Sequence, residues 1–597
     1  MAPSYQRLDD QESPKPPTAP WSGRWKRPIF AAIVAILITW VVAVFVILSQ
    51  RRGWNSIGGG SGHQYSGEKV SWQPCGSVGG HPLECVNLTV PMDQFDLSRS
   101  KDQTFRIPVI RLRGGEHATQ NLLLNPGGPG GSGMTLLYHR GAQLRAVVGD
   151  GLHLISFDPR GVGESVPRAM CYPDSETKAR LGQMRTEDVL RDSPEMYAWA
   201  KGYVQACKDT MGEVGGYITT PQVAADMNSI LDAIGQPDMY YWGFSYGTTL
   251  GQTYAQLFPE RSKRVIIDGV SNAQHWYGRD FDNTHYTDTE NAFMGIFRHC
   301  IKEKENCALS SFGDRAEDLH KLVMDLGDRL KEQPMSVYVN KTAWGQLTYE
   351  HIFFNGVLPA LYKPLTWYAL AQNLAKLLNG NATDAWLAYA QHESFEMDDN
   401  SSDFVFNNDA HSGPNYWTQD RKEFLEGTIL SLVNSSMFGP AENIDYYVRQ
   451  QWKVPKTTEY IPQLTPQIAT AEPMLIVSMT FDPICPLASA KGAQRRFRDS
   501  RLVEIKGVGH CSVSTISACG AKYIRDYLYD GVLPNEKHVT CEVDRRYFID
   551  VEHEDVLTRR SLGGVEQSEE DRMYRAQLAL ASDWQWKVRR HGLPMFL

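Results

Sequence analysis

Short, largely apolar runs recur along this chain, and most of them stop abruptly at Gly, Pro or Asp. They are NLLLNPGG (121–128), HLISFDPRG (153–161), MYYWGFSYG (239–247), RVIIDGV (264–270), MLIVSMTFDP (474–483) and RLVEIKGVGH (501–510). An unbroken apolar run suits a strand buried on both faces, and such strands belong to parallel sheets covered by helices on each side. Between two of the runs, VAADMNSILDAIG (223–235) has a helical period and a Gly stop. Strand–helix–strand alternation predicts an α/β fold: a mostly parallel sheet with right-handed crossovers. LECVNLTV (83–90) and TFRIPVIRL (104–112) read as an opening pair of strands.

The rhythm breaks once. About 200 residues separate Ile267 from Met474, with helical patterns such as RAEDLHKLVMDLGDRLKEQ and WYALAQNLAKLLNG. That is too long for a crossover, so residues 271–470 are expected to form a large, mainly helical lid over the C-terminal edge of the sheet. The sheet core then comprises 70–270 and 471–550, with a C-terminal extension at 551–597. No internal repeat interrupts this plan.

The N-terminus follows other rules. Residues 1–27 are rich in Pro, Ser and charge, which predicts a disordered tail. Ile29 to Leu48 are twenty residues without a charge. As a helix they would span about 30 Å, one hydrocarbon thickness. The expected element is a transmembrane signal anchor at 28–49. A cleaved signal peptide would have a shorter apolar core nearer the start. Arg24, Lys26 and Arg27 precede the run, and Arg7 and Lys15 lie upstream, so the N-terminus should stay cytosolic and the body be lumenal or extracellular. Residues 50–69, GWNSIGGGSGHQYSG among them, read as a flexible linker.

Two patterns agree with translocation. Five N-glycosylation triplets begin at Asn87, Asn340, Asn381, Asn400 and Asn434. The ten cysteines fall in near pairs without zinc spacing: Cys75/Cys85, Cys171/Cys207, Cys300/Cys307, Cys485/Cys511 and Cys519/Cys541. That favours disulfides and an oxidising compartment. Cys485 follows Asp482 by three residues and Cys511 adjoins His510, so a disulfide between them would brace those two loops. The formal net charge is −9 with no long basic run in the body, which leaves nucleic-acid binding without electrostatic support.

The chemistry centres on Gly243-Phe-Ser-Tyr-Gly247, a G-x-S-x-G between a predicted strand and a predicted helix. A sharp strand-to-helix turn exposes the hydroxyl of Ser245 as a nucleophile, and flanking glycines permit the tight approach. Such a serine needs a base and an orienting acid, in the order Ser, acid, His, each at the end of a later strand. Asp482 ends one apolar run and His510 ends the next. Asn125 to Gly133, NPGGPGGSG, follows an earlier strand and can converge backbone N–H groups on an oxyanion. The Gly128 and Tyr246 N–H groups are assigned to that hole. The loop lacks the G-K-[ST] ending of a phosphate loop. FDPRGVGES (157–165) lacks G-x-G-x-x-G and is read as a structural turn, with Arg160 tying loops together. No metal or organic cofactor is required.

PGGPGGSG, FDPRGVGES, GFSYGT, the Asp482-Pro turn and GVGHCS, in this order, resemble the prolyl and tripeptidyl aminopeptidases of the α/β-hydrolase superfamily. Residues 470–545, with Cys519 and Cys541 around YLYDGVLP, look like the C-terminal segment of the tripeptidyl-aminopeptidase-like members. SWQPCG and LECVNLTVPMD look like the same branch. The resemblance covers roughly 70–545 and is weakest in the lid. It implies an α/β-hydrolase fold and an exopeptidase acting near a free amino terminus, with Ser245, Asp482 and His510 as nucleophile, acid and base. Two departures stand out: Pro126 replaces the His that often opens the GGPG loop, and a membrane anchor is unusual for the group. An aminopeptidase also needs a carboxylate for the substrate ammonium. Glu290 and Asp288, early in the lid, are both candidates.

Two other readings stay open. An esterase, lactonase or thioesterase acting on a small molecule would share the triad. A membrane-tethered binding protein that kept the fold would not need the intact Ser, Asp and His. The oligomeric state is not legible.

Overall fold

The computed structural model describes residues 63–182, 188–278, 284–390, 395–396, 399–551, 568–583, 587–590 and 593–596. The tail at 1–27, the expected anchor at 28–49 and the first part of the expected linker lie outside them. Among the described residues, no helix is long and apolar enough to cross a membrane.

The first strands are β1 (Gln73–Val78), β2 (His81–Pro91), β3 (Thr104–Leu112), β4 (Gln120–Asn125), β5 (Leu152–Phe157), β6 (Met239–Phe244) and β7 (Ser262–Asp268). A long insertion follows, with β8 (Met335–Asn340), β9 (Ala343–Leu347) and the short β10 (Phe395–Glu396). β11 (Leu475–Phe481), β12 (Arg501–Val508) and β13 (His538–Glu542) rejoin the main sheet, and β14 (Lys587–Arg590) pairs with both β10 and β15 (Leu593–Phe596) in a small separate one. The main sheet has ten strands in the order β1-β2-β3-β5-β4-β6-β7-β11-β12-β13. β1 to β3 join antiparallel, β3 meets β5 antiparallel, and every pair from β5 to β13 is parallel.

The apolar runs explain why this sheet sits inside the molecule. Side chains alternate between its faces along each strand. Leu123, Val265, Ile267 and Ile476 enter one core, while Leu122, Leu124, Ile266, Leu475 and Val477 enter the other. Helices cover both faces: α1 (Gly133–Val148), α2 (Ser193–Met211), α3 (Thr220–Ala233) and α4 (Tyr246–Leu257) come from the first part. The insertion contributes α5 (Thr289–Lys302), α6 (Ala316–Glu332) and α7 (Trp367–Leu378). The C-terminal part adds α8 (Leu487–Arg496), α9 (Ala518–Asp530) and α10 (Glu569–Ser582). Helices α2, α3, α4 and α8 share the first core, and α1, α9 and α10 share the second.

The insertion has a core of its own. On α6, Leu319, Val323, Leu326 and Leu330 form one buried stripe at helical spacing. They cluster with Phe293 of α5, Leu370 of α7 and, from the sheet side, Val508, Tyr547 and Phe548. The insertion is not helical throughout, because β8 and β9 form an antiparallel hairpin within it.

Several expectations need correction. The linker reading ends too late: residues from His63 are already docked. Glu68 and Glu84 grip Arg111 at 2.6 and 2.9 Å, Lys69 N–H donates to the Ala233 carbonyl, and His63 bridges Trp72. The Gly/Ser composition hides these polar anchors. Four cysteine pairs are bridged, Cys75–Cys85, Cys171–Cys207, Cys300–Cys307 and Cys519–Cys541. Cys485 and Cys511 form no bridge and are buried thiols. Asn400 is a poor glycan acceptor in this fold: it is buried, its Nδ2 donates to Tyr203 Oη at 3.0 Å, and its Oδ1 accepts from Cys171 N–H. Asn87, Asn340, Asn381 and Asn434 are exposed.

Arg160 ties loops together, as its place in the turn after β5 suggested. Its fully buried guanidinium holds both oxygens of Asp226 on α3, at 2.5 and 2.7 Å, and donates to the carbonyls of Pro91 and Met92. Removing one partner of a buried pair leaves the other charge uncompensated. Arg160→Met should therefore lower stability by about 3–5 kcal/mol in urea unfolding. A loss below about 1 kcal/mol, the scale of a surface pair, would contradict this role.

Candidate active site

The turn that carries Ser245, the candidate nucleophile, is built where β6 runs into α4. Ser245 stands at φ 56°, ψ −125°, unusual backbone for a residue with a side chain. Such a conformation costs about 1–3 kcal/mol and persists only where its surroundings hold it. Ser245 N–H donates to the Asp268 carbonyl at 3.0 Å, and the Ser245 carbonyl accepts from Thr248 N–H and Thr248 Oγ1 at 2.8 and 2.6 Å. The flanking glycines answer to close packing. A Cβ at 243 would lie 2.5 Å from the Gly247 carbonyl, and one at 247 would lie 2.8 Å from Asn125 Oδ1.

The glycine loop after β4 presses against this turn. A Cβ at Gly127 would meet the Phe244 carbonyl at 2.4 Å, Ser245 Cβ at 2.9 Å and Tyr246 N at 3.2 Å. Gly127 N–H is held by Asn125 Oδ1, and its φ of 97° also favours glycine. Tyr246 opens α4, so its N–H belongs to the first turn, which has no partner within the helix.

Asp482 follows β11 and His510 follows β12, neighbouring parallel strands. His510 Nδ1 lies 2.9 Å from each Asp482 oxygen. Three backbone N–H groups complete the carboxylate's shell: Ile484 and Cys485 donate to Oδ1, and Cys511 donates to Oδ2. With Nδ1 so engaged, Nε2 is left as the acceptor nitrogen. That atom is buried and makes no hydrogen bond. His510 N–H donates to the Tyr362 carbonyl, and the two rings meet edge-on at 4.9 Å. Ser245 and His510 line one cavity, with Phe244 and Tyr362 among its apolar walls.

A residue that sequence reading passed over joins these parts. Asp268, fully buried, ends β7. Its backbone carbonyl takes Ser245 N–H and the Cys511 thiol, and its carboxylate takes Ser512 N–H at 2.8 Å, Ser512 Oγ at 2.5 Å and Trp242 Nε1 at 3.2 Å. One residue thus connects the Ser245 turn to the loop that carries His510. The Cys511 thiol donates to the Asp268 carbonyl at 3.2 Å, and burial pushes that thiol up. The signal for Asp268 was present, since an Asp closing an apolar run is what singled out Asp482.

The two carboxylates expected to hold a substrate amine are placed differently. Glu290 Oε1 accepts from Ser436 Oγ and Met437 N–H, inside the insertion. Asp288 precedes α5 without capping it through its side chain; burial raises its carboxyl, which Leu487 N–H lowers and the Asp482 charge raises further. The adjacent Thr289 Oγ1 donates to the Pro483 carbonyl at 2.6 Å. Neither carboxylate lines the cavity shared by Ser245 and His510. Among the described residues, the one that does is Asp583.

Burial raises the Asp268 carboxyl to about 6, against the pull of its Ser512 and Trp242 donors and of His510. A carboxyl raised in the folded state stabilises the fold below its unfolded pKa, and that contribution disappears as pH rises through the folded value. Between about pH 4 and 6, Asp268 should account for a loss of about 2–3 kcal/mol. Urea midpoints across this window should fall less steeply for Asp268→Asn than for the parent chain. Equal slopes would contradict the assignment.

Known proteins match this architecture. A family described as alpha/beta hydrolase fold matches residues 120–290, and one described as TAP-like protein matches 435–541. Serine protease Hip1 of Mycobacterium tuberculosis (strain ATCC 25618 / H37Rv) is 27% identical, over 85% of this chain and 96% of its own. Tripeptidyl aminopeptidase of Streptomyces lividans is 27% identical, over 79% of this chain and 86% of its own. Carboxylesterase B of the same Mycobacterium tuberculosis strain is 26% identical, over 75% and 85%. With the parallel sheet and the Ser, Asp and His at its strand ends, these matches identify the chain as a serine hydrolase of the α/β-hydrolase fold with a TAP-like C-terminal segment.

Proposed function

We propose that this chain is a membrane-anchored aminopeptidase that releases amino acids or short peptides from free N-termini through an acyl-enzyme on Ser245. The observation that carries the reading is the Asp482–His510 pair, whose remaining imidazole nitrogen is buried in the cavity that Ser245 lines. His510 Nε2 takes the Ser245 proton as Oγ attacks the scissile carbonyl. The developing oxyanion rests on the Gly128 and Tyr246 N–H groups, and Asp482 keeps the imidazole in the required tautomer. His510 then protonates the leaving amine, and water releases the acyl group. No step calls on a metal or an organic cofactor.

The names of two relatives, a serine protease and a tripeptidyl aminopeptidase, support a peptide substrate. Asp288 and Glu290 both remain amine candidates: Asp288 stands two residues from Glu290 and feels the Asp482 charge, and each carboxylate already has donors within the fold. The insertion acts as a lid in this reading, because Tyr362 and Lys363 within it line the cavity. The apolar stretch at 28–49 holds the chain in its membrane, with the body on the lumenal or external side. The four disulfides and the exposed Asn87, Asn340, Asn381 and Asn434 fit that compartment. An esterase acting on a small molecule is the second reading, favoured by the apolar cavity walls and by the carboxylesterase relative.

The full chain, made in a secretory host, should cleave aminoacyl- or tripeptidyl-arylamides as well as short p-nitrophenyl esters. Ester cleavage without amide cleavage would exclude the aminopeptidase reading. Ser245→Ala should lower kcat by about 10⁴-fold or more; full activity in that variant would remove Ser245 from the mechanism. Gly127→Ala places a methyl group against the nucleophile turn and should cost at least about 100-fold in kcat/KM. An unaffected rate would mean that the glycine loop does not shape the site.

A further inference from the structure

The cavity beside Ser245 has an unusual charge content. Its walls are largely apolar, yet Arg140 of α1 and Lys363 of the insertion both line it. Among the described lining residues one carboxylate opposes them, Asp583. Arg140 Nη1 pairs with Asp583 Oδ2 at 3.0 Å. Lys363 Nζ donates to the Leu580 carbonyl at 3.1 Å, which offers a dipole rather than a charge.

Both contacts come from the C-terminal extension. Helix α10 lies beyond residue 541, where the TAP-like match ends. It is nonetheless built into the fold: Ala576 and Leu580 enter the second core with Leu136 and Leu144 of α1, and Gln577 Nε2 donates to the Ser517 carbonyl. Leu580 and Asp583 then stand on the cavity wall facing the space that Ser245 and His510 share. This helix completes the site.

We propose that this cavity is a specificity pocket for a carboxylate-bearing part of the substrate, with Lys363 as the anchoring cation and α10 as its wall. An apolar enclosure whose described lining holds two cations and one carboxylate gains from a second carboxylate, since an incompletely compensated buried charge is costly. The state of Lys363 agrees. Burial and the neighbouring Arg140 guanidinium pull its ammonium down to about 7, against the weaker opposing pull of the Asp583 carboxylate. An arriving anion would restore the charged form. The carboxylate has two sources in a peptide, an acidic side chain near the scissile bond or the free C-terminus of a short substrate. The proposal rests on the serine-hydrolase site described above, and it holds for a peptide or an ester.

The test uses the full-length protein and matched substrates. One arm compares short peptides carrying Glu or Gln beside the scissile bond, and a second compares free and amidated C-termini of the same peptide. A third compares the p-nitrophenyl half-ester of glutaric acid with p-nitrophenyl valerate. In at least one peptide arm, and in the ester arm, the carboxylate-bearing member should show kcat/KM about tenfold higher, as a charge-assisted contact provides. The ratio should fall to near one in Lys363→Met and return in Lys363→Arg. Without any variant, glutarate should inhibit valerate-ester hydrolysis at about tenfold lower concentration than glutaramide does. Equal rates in all three arms, with no advantage of glutarate over glutaramide, would overturn the proposal. If peptides resist cleavage but the half-ester is preferred, the pocket stands and the peptidase reading falls. If Ser245→Ala retains activity, the nucleophile assignment falls instead.

Discussion

The end of β7 is the joint on which the site depends. There Asp268 holds a strained nucleophile turn with its backbone carbonyl and a base loop with its carboxylate. Ser245 has a backbone conformation that costs energy, so it needs external anchoring. His510 needs an orientation fixed to a fraction of an ångström. Both demands meet at one buried residue because β6, β7, β11 and β12 end side by side at the same edge of a parallel sheet. A parallel sheet makes this possible: all its C-terminal ends point one way, so residues far apart in sequence converge.

That convergence explains why so much of the candidate site was legible. Ser245, Asp482 and His510 each follow a short, largely apolar run, and such runs separated by helical segments suit buried parallel strands. Gly243 and Gly247 were legible because only glycine allows β6, α4 and the loop after β4 to touch. Arg160 was legible as a tie because a charged residue amid apolar strands must find partners.

What was not legible depended on side-chain direction or on contacts between distant segments. Cys485 and Cys511 flank the acid and base, but the Cys511 sulfur turns to the Asp268 carbonyl. Residues 63–69 read as linker by composition, yet Tyr65 and Glu68 are gripped by Glu84 and Arg111 across the sheet. Asp268 closes an apolar run as Asp482 does, but its part in the site lies in backbone and side-chain contacts to the distant Ser245 and Ser512, which no local pattern marks. Helix α10 has a polar, weakly amphipathic sequence, so nothing local announced that Leu580 and Asp583 reach the cavity. The lid carboxylates were sought by chain order, whereas the carboxylate on the cavity wall comes from the C-terminus.

In the proposed mechanism Ser245 forms a covalent intermediate. The most direct test of this step is intact-mass and peptide mapping after treatment with a fluorophosphonate, which traps serine nucleophiles that a base activates. One adduct per chain, on the peptide carrying Ser245, is the predicted outcome. Labelling at another serine, or equal labelling of Ser245→Ala, would contradict it.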